Sequence, residues 1–411
     1  MAQVLDCWAI ASPAIGRCDP ASLDPATSTA TRATTPARLG RFTRSSNQFG
    51  RRCFAAGGLL VGFRKSGLPS SLAAAAADTG RYCGTSAQIE QIDGQPDLRA
   101  AIVRECTWLT PEYALKWDAI EPKPGSHLFT PVDDLLRFSD AHGMKVRGHT
   151  LLWHRTVPSW AERILRESKD WGPIHRHFST VLARYGQAID QWDVINEPLE
   201  PGHHGDGLRR SVFLDVFGPD YIRRALEEAR ILAPTARLMV NEYGLEYDLP
   251  DERSRRHCLL KLVERLKAAG APLDGLGIQG HLDLGKGKID ATAFGDFLAE
   301  IAALGLFIVI TELDVREADR QAPVAARDRR VADEVRRYLD VALAQPAVRG
   351  VITWGMTDRH SWLSPSTADE GHATDTARTT RDRNRGLPFD AAMHRKPMHS
   401  AIRESLLAAP R

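Results

Sequence analysis

From Tyr82 onward, short apolar runs alternate with amphipathic stretches, and no other feature of the chain restricts its fold as tightly. The runs are Tyr82–Gln88, Thr107–Pro111, Lys145–Leu152, Gln191–Asn196, Arg237–Asn241, Gly275–Gln279, Phe307–Thr311 and Gly350–Trp354. Helical periodicity fills the gaps, as in Val132–His142, Ile174–Tyr185, Tyr221–Leu232, Asp251–Ala269, Ala291–Ala303 and Val331–Ala344. Strand–helix alternation sustained over eight runs predicts an α/β fold, the closed (β/α)8 TIM barrel. An open doubly wound sheet is the alternative. It lacks support where it should show, because Cys83-Gly84-Thr85-Ser86 does not make a glycine-rich phosphate loop after the first strand. Gly285-Lys286-Gly287-Lys288 is only a basic turn.

The first part of the chain reads differently. Asp19 to Gln48 is rich in Thr, Ala, Pro, Ser and Arg, a composition that cannot bury a core, so residues 1–48 are expected to be a disordered extension. Arg51-Arg52, the Gly/Ala/Leu stretch from Ala55 to Phe63 and the tract Ala73 to Ala77 resemble a twin-arginine export signal cleaved near Ala77. Arg64 and Lys65 interrupt its apolar part, which leaves a basic linker as the other reading. The expected organisation is therefore a signal segment over 49–77, a single barrel domain over 78–411, and an exported, monomeric product. A net charge of +2 on 411 residues makes no electrostatic case for nucleic acid or an anionic membrane, and no apolar run spans a bilayer. The 6 cysteines contain no CxxC element and no histidine spacing suits a metal, so neither a metal nor a dense disulfide framework is expected.

In such a barrel the functional groups sit where strands end. Here polar residues cluster at those ends. Strand two is followed by Glu112, Tyr113, Lys116 and Trp117; strand three carries His149, Trp153 and His154; strand four ends in Asn196 and Glu197. Strand five ends in Asn241, Glu242 and Tyr243, strand six in Gln279-Gly280-His281, strand seven in Glu312-Leu313-Asp314, and strand eight in Trp354 with Trp362 beyond. Glu197 and Glu312 close two buried runs that can aim both carboxyls into one cleft, the minimal equipment for cutting a glycosidic bond. Tryptophan faces stack on sugar rings, while Lys116, His149 and Asn196 hydrogen-bond hydroxyls. His281 can link Glu312 to Asp314 and keep Glu312 ionised as a nucleophile, with Glu197 beside that charge as the protonated acid.

Each residue also has a bland reading. A single Glu at a strand end is more often an ion-pair partner or cap than a catalyst. His154, His203 and His204 read as surface or supporting residues, and His142 lies in a helix with no evident partner. Asp133-Asp134 looks like helix N-terminal charge placement, and Arg253–Arg256 and Arg327–Arg330 read as solvated helix faces. The bland reading fails only for the constellation as a whole.

That constellation resembles the endo-β-1,4-xylanases of glycoside hydrolase family 10, from about Tyr82 to Leu407. The matching motifs are Thr110-Pro111-Glu112 with Leu115-Lys116-Trp117, Gly148-His149-Thr150-Leu151-Leu152-Trp153-His154 and Trp192-Asp193-Val194-Ile195-Asn196-Glu197. Asn241-Glu242-Tyr243, Gly277-Ile278-Gln279-Gly280-His281, Ile310-Thr311-Glu312-Leu313-Asp314 and Thr357-Asp358-Arg359-His360-Ser361-Trp362 follow in order, then Leu387-Pro388-Phe389-Asp390. The resemblance implies a cofactor-free retaining double displacement on xylan, with Glu312 as nucleophile and Glu197 as acid and base. It implies that Asn196, His281 and Asp314 support them, and that Glu112, Lys116, His149, Trp153, Gln279, Trp354 and Trp362 line the glycone side. One position departs: Tyr113 stands where the family usually has Asn, which puts sugar binding one step beyond the cleavage point in question. The polar stretch Ser364–Arg385 is expected to be a loop over the cleft. A β-1,4-glucanase and a non-catalytic carbohydrate-binding barrel are the competing readings.

Overall fold

The computed structural model describes residues 70–364 and 383–411; the expected extension, most of the expected signal segment and most of the Ser364–Arg385 loop lie outside the described residues. Among the described residues nine strands form one sheet: β1 (Tyr82–Ala87), β2 (Trp108–Pro111), β3 (Lys145–Trp153), β4 (Gln191–Asn196), β5 (Arg237–Glu242), β6 (Gly275–Ile278), β7 (His281–Asp283), β8 (Phe307–Arg316) and β9 (Val348–Thr353). All pairings are parallel, and β6 pairs with β8 while β1 pairs with β2 and β9, so eight strands close into the expected (β/α)8 barrel. Among the described residues the short β7 pairs only with the outer end of β8. Strand positions expected from the apolar runs differ from the observed ones by a residue or two at most ends. The exception is β8, which continues to Arg316 and thereby holds both Glu312 and Asp314 in one strand.

Most of the core lies between strands and helices, with a small cluster of Trp108, Met239, Val309 and Ile352 set apart from it. Barrel strands also carry buried polar groups. Arg147 and His149, two residues apart and therefore on one face of β3, both reach Asp193 on β4. At Gly277 an added Cβ would stand 2.0 Å from Asn241 Oδ1, so glycine there is what lets the Asn241 amide occupy its place in the mouth. The cysteines Cys83, Cys106 and Cys258 are unpaired, and burial pushes the Cys83 thiol up to about 12.

Two expectations need correction. The Ala73–Ala77 tract, read as the end of a signal segment, is part of a helix, Leu72–Asp78, that packs within the barrel domain. Ser71 caps it by accepting from the Ala74 N–H at 3.2 Å, and Leu72, Ala75 and Ala76 are buried at helical spacing. The helix packs on the C-terminal helix Pro397–Ala408, and the Leu72 N–H donates to Glu105 Oε2 at 2.9 Å. The domain boundary thus falls near Ser71, not Asp78. A chain beginning at Asp78 should be less stable than one beginning at Ser70 by at least about 1.5–3 kcal/mol, the worth of burying Leu72 alone. Denaturant midpoints of the two would show it, and equal midpoints would return the helix to the leader.

The arginine-rich helix stretches are not solvated faces throughout. Arg255 and Arg256 are buried; Arg327 is 1% exposed and forks onto Glu317 at 2.8 and 2.7 Å. Burying a guanidinium costs less when two of its nitrogens fork onto a carboxylate, and the local charge pattern does not reveal such a partner.

Candidate active site

Strand phase explains the centre of the site. Glu312 and Asp314 share a face of β8, and β7 lies beside that strand in a register that sets His281 opposite Asp314. The imidazole therefore bridges both carboxylates, with Nδ1 2.8 Å from Asp314 Oδ1 and Nε2 3.3 Å from Glu312 Oε2. Trp362 closes the far end, donating its indole N–H to Asp314 Oδ2 at 2.6 Å. Burial alone would lower the His281 pKa. The charges and hydrogen bonds of Asp314 and Glu312 outweigh that and lift it to about 10. His281 is thus an imidazolium donating from both nitrogens. Burial alone would likewise raise Glu312. The His281 hydrogen bond, the charges of His149 and His281 and the Asn241 amide reverse this and hold its carboxyl at about 2.

Glu197 follows directly on β4, and its carboxyl meets the Gln279 amide at 3.3 Å and the Asn196 amide at 3.5 Å. The two halves of the site meet at Asn241. Its side-chain N–H groups donate to Asn196 Oδ1 at 2.8 Å and to Glu312 Oε1 at 2.7 Å, while its own oxygen accepts from Thr311 at 2.7 Å. Glu197, Gln279, Asn196, Asn241, Glu312, His281, Asp314 and Trp362 therefore form one continuous chain of polar contacts across the mouth. Asn241 was visible in the sequence as a strand end, yet nothing local distinguished it from Glu242 beside it. Glu242 instead turns away, accepting the N–H groups of Leu199 and Tyr243.

The remaining expected residues surround this chain. Lys116 is buried, its ammonium 4.6 Å from the Trp153 ring and 5.8 Å from that of Trp354. Burial lowers its pKa against the opposing pull of Glu312, Glu112 and Glu197, so it lies within the field of all three carboxylates. His149 places Nδ1 2.8 Å from Asp193 and its ring edge-on to Trp354 at 5.3 Å. Glu112 accepts from Gln88 at 3.1 Å; burial raises its pKa against the hydrogen bond of Gln88 and the charge of Lys116. Trp354 and Trp362 stand around the His281 ring at 6.4 and 5.3 Å. Asp193 and Gln88 escaped the sequence reading because their role is to hold another side chain. His154 packs its ring edge-on to Trp153 at 6.1 Å, its pKa lowered to about 3 by burial and by the charges of Arg209, Arg155 and His203.

A carboxylate kept ionised, a second carboxyl facing the same mouth and flanking tryptophans are what glycosidic bond cleavage requires. Residues 71–405 match the family described as Glycosyl hydrolase family 10. The chain belongs to that family. It is 33% identical over 299 residues to endo-1,4-beta-xylanase A of Phanerodontia chrysosporium, covering 72% of this chain and 66% of that protein. Among solved structures it resembles native xylanase 10B from Thermotoga maritima, at 29% identity and a TM-score of 0.70 over 82% of this chain and 98% of the other. Xylanase 10B from Thermotoga petrophila in complex with xylobiose is similar at 28% identity and 0.70, over 82% and 97%.

Tyr113, the position at which the sequence was expected to depart from the resemblance, lies beside Lys116. Its ring is 39% exposed, the Lys116 ammonium lies 5.5 Å away, and its hydroxyl donates to Asp118 Oδ2 at 2.8 Å. Where an amide would offer two hydrogen-bonding groups to a sugar, this chain offers a pinned aromatic face.

Proposed function

We propose that this protein is a retaining endo-β-1,4-xylanase acting as a monomer, with Glu312 as nucleophile and Glu197 as acid and base. The His281 imidazolium between Glu312 and Asp314 carries this reading. It holds the Glu312 carboxyl of the resting enzyme well below the usual carboxylate range, as a nucleophile requires. In the first step Glu312 attacks the anomeric carbon while Glu197 gives its proton to the departing glycosidic oxygen. The C–O bond breaks, the aglycone leaves as an alcohol, and a glycosyl ester remains on Glu312. In the second step Glu197 takes a proton from water as that water attacks the same carbon, and Glu312 is released as a carboxylate. Asn241 and His281 hold Glu312 throughout, and Asn196 stands beside the acid, where it can meet the hydroxyl next to the reacting carbon.

The preference for xylose over glucose rests on crowding. Glucose carries a hydroxymethyl group that xylose lacks, and Trp354 and Trp362 stand close around His281 where the cleaved sugar must lie. The relatives named as xylanases and the xylobiose complex support the same choice. Matched aryl β-xylobioside and β-cellobioside should differ by roughly 10-fold or more in kcat/KM in favour of the xyloside. Faster cellobioside cleavage would make the protein a glucanase. A binding protein without catalysis would have no use for an acid beside a carboxylate whose pKa is held down.

Export by a twin-arginine route is part of the reading and rests on Arg51-Arg52 and the apolar stretch after it. Because the helix Leu72–Asp78 belongs to the barrel, the cut must fall before Ser71. N-terminal sequencing of protein recovered outside the cytoplasm should begin at or before Ser71. A mature terminus at Asp78, or protein confined to the cytoplasm, would refute it.

A further inference from the structure

The two carboxylates are held in different ways. Glu312 is gripped at its side chain by an amide at 2.7 Å and an imidazolium at 3.3 Å. Among the described residues Glu197 has side-chain contacts to two neutral amides, Gln279 at 3.3 Å and Asn196 at 3.5 Å, but its backbone is unusual: φ is 53°, in the left-handed region. For a residue other than glycine that conformation costs on the order of 1–3 kcal/mol and lasts only where the surroundings impose it.

The surroundings are identifiable. The Glu197 N–H donates to the Asn241 carbonyl at 2.8 Å, which ties the peptide to β5. On the other side the Glu197 carbonyl accepts from Arg209 Nε at 3.1 Å. The same guanidinium uses Nη2 on the Leu199 carbonyl at 2.9 Å, the Tyr243 hydroxyl at 2.7 Å and Glu200 Oε2 at 2.9 Å. Its own backbone N–H donates to the Pro198 carbonyl at 2.7 Å, and a bridge between Leu199 and Leu208 closes the loop. Arg255 backs this up from the helix Pro250–Ala268, donating to the Leu199 carbonyl at 2.6 Å and to Glu200 at 3.2 Å. Only a planar fork spans two carbonyls two residues apart in this way; an ammonium on a flexible stem would reach one.

We propose that Arg209 is the positioning residue of the acid, holding the backbone of Glu197 in the left-handed conformation that aims its carboxyl into the cleft. This rests on the assignment of Glu197 as acid. The physical logic is a division of labour: the nucleophile is locked through its side chain because it must stay ionised. The acid is aimed through its backbone, so that its carboxyl remains free to give up and regain a proton. Releasing the Glu197 carbonyl lets the peptide relax and moves the carboxyl, and a misplacement of about 1 Å costs roughly 10²-fold in rate.

The test separates proton donation from structural support through the leaving group. Xylo-oligosaccharides need a proton on the departing oxygen, whereas a dinitrophenyl β-xylobioside departs without one. In Arg209→Lys, kcat/KM on xylohexaose should fall roughly 10- to 100-fold while the aryl substrate changes by less than about 2-fold. An equal loss on both substrates, or no loss on either, overturns the proposal. Should Arg209→Lys fail to fold, Tyr243→Phe removes one partner of the guanidinium and must show a smaller difference in the same direction. Equal effects on both substrates there also overturn it. Glu197→Ala measured alongside distinguishes the two levels: if it too loses both substrates equally, the assignment of the acid fails first.

Discussion

Glu312→Gln should lower kcat on xylan by more than about 10⁴-fold while xylo-oligosaccharides still bind. The amide matches the carboxylate in shape but carries no charge and cannot form the glycosyl ester. Its effect on the fold should be small, for an electrostatic reason. Glu312, the imidazolium of His281 and Asp314 together bear one net negative charge, and the substitution leaves a neutral His281–Asp314 pair that is still hydrogen-bonded at 2.8 Å. The Asn241 amide can donate to the new side-chain oxygen as it did to Glu312, which leaves the His281 Nε2–H, now facing the new amide N–H, as the one donor that loses its acceptor. Calorimetric titration with xylohexaose should give a Kd within about 10-fold of that of wild type, because the tryptophans and Lys116 expected to bind the sugar are untouched. Turnover at the wild-type rate would remove Glu312 from the mechanism. Loss of binding together with turnover would mean that the variant reports on folding and not on chemistry.

Glu197→Ala should behave differently, and the difference is the more informative result. General acid–base assistance is worth roughly 10²–10⁴-fold, so xylan hydrolysis should fall by that amount. With a dinitrophenyl β-xylobioside the first step needs no acid and should proceed, whereas the second step lacks its base. The glycosyl ester on Glu312 then accumulates, which a burst of dinitrophenolate followed by slow turnover would reveal. Azide, a small anionic nucleophile that needs no deprotonation, should enter the space left by the carboxyl and restore turnover. The product should be the β-xylobiosyl azide, since two inversions at one carbon give retention. An α-azide would show that no covalent intermediate forms. Absence of both burst and rescue would take Glu197 out of the acid role.

The neighbourhood of these residues shows where local sequence stops being informative. Gln191–Asn196 and Tyr221–Leu232 were legible to the residue, because a strand's apolar run and a helix's 3.6-residue period are written in consecutive positions. Glu197, Glu312 and the residues ending the other strands were legible for the same reason: barrel phase converts a position in sequence into a position at the mouth. Asn241, Asp193 and Gln88 were not singled out, since each matters through a side chain held from another strand. The buried Arg255 and Arg327 look like solvated charge from their neighbours in sequence, and only their carboxylate and carbonyl partners explain their burial. The alanine tract misled for a further reason. Alanine has too little side chain to show an apolar face, so Leu72–Asp78 carries no amphipathic signature, and the small-residue pattern of a cleavage site is the same pattern.

Sequence alone therefore determined the barrel, the order of its strands and the two carboxylates that face each other across its mouth, because each depends on a periodicity that runs along the chain. The tertiary structure decided the rest: that His281 sits between Glu312 and Asp314, that one asparagine couples the two halves of the site, and that Arg209 hydrogen-bonds the backbone carbonyl of Glu197. Those are contacts across the barrel, set by strand register and loop closure, and charge states and strained conformations follow from what surrounds a group in space.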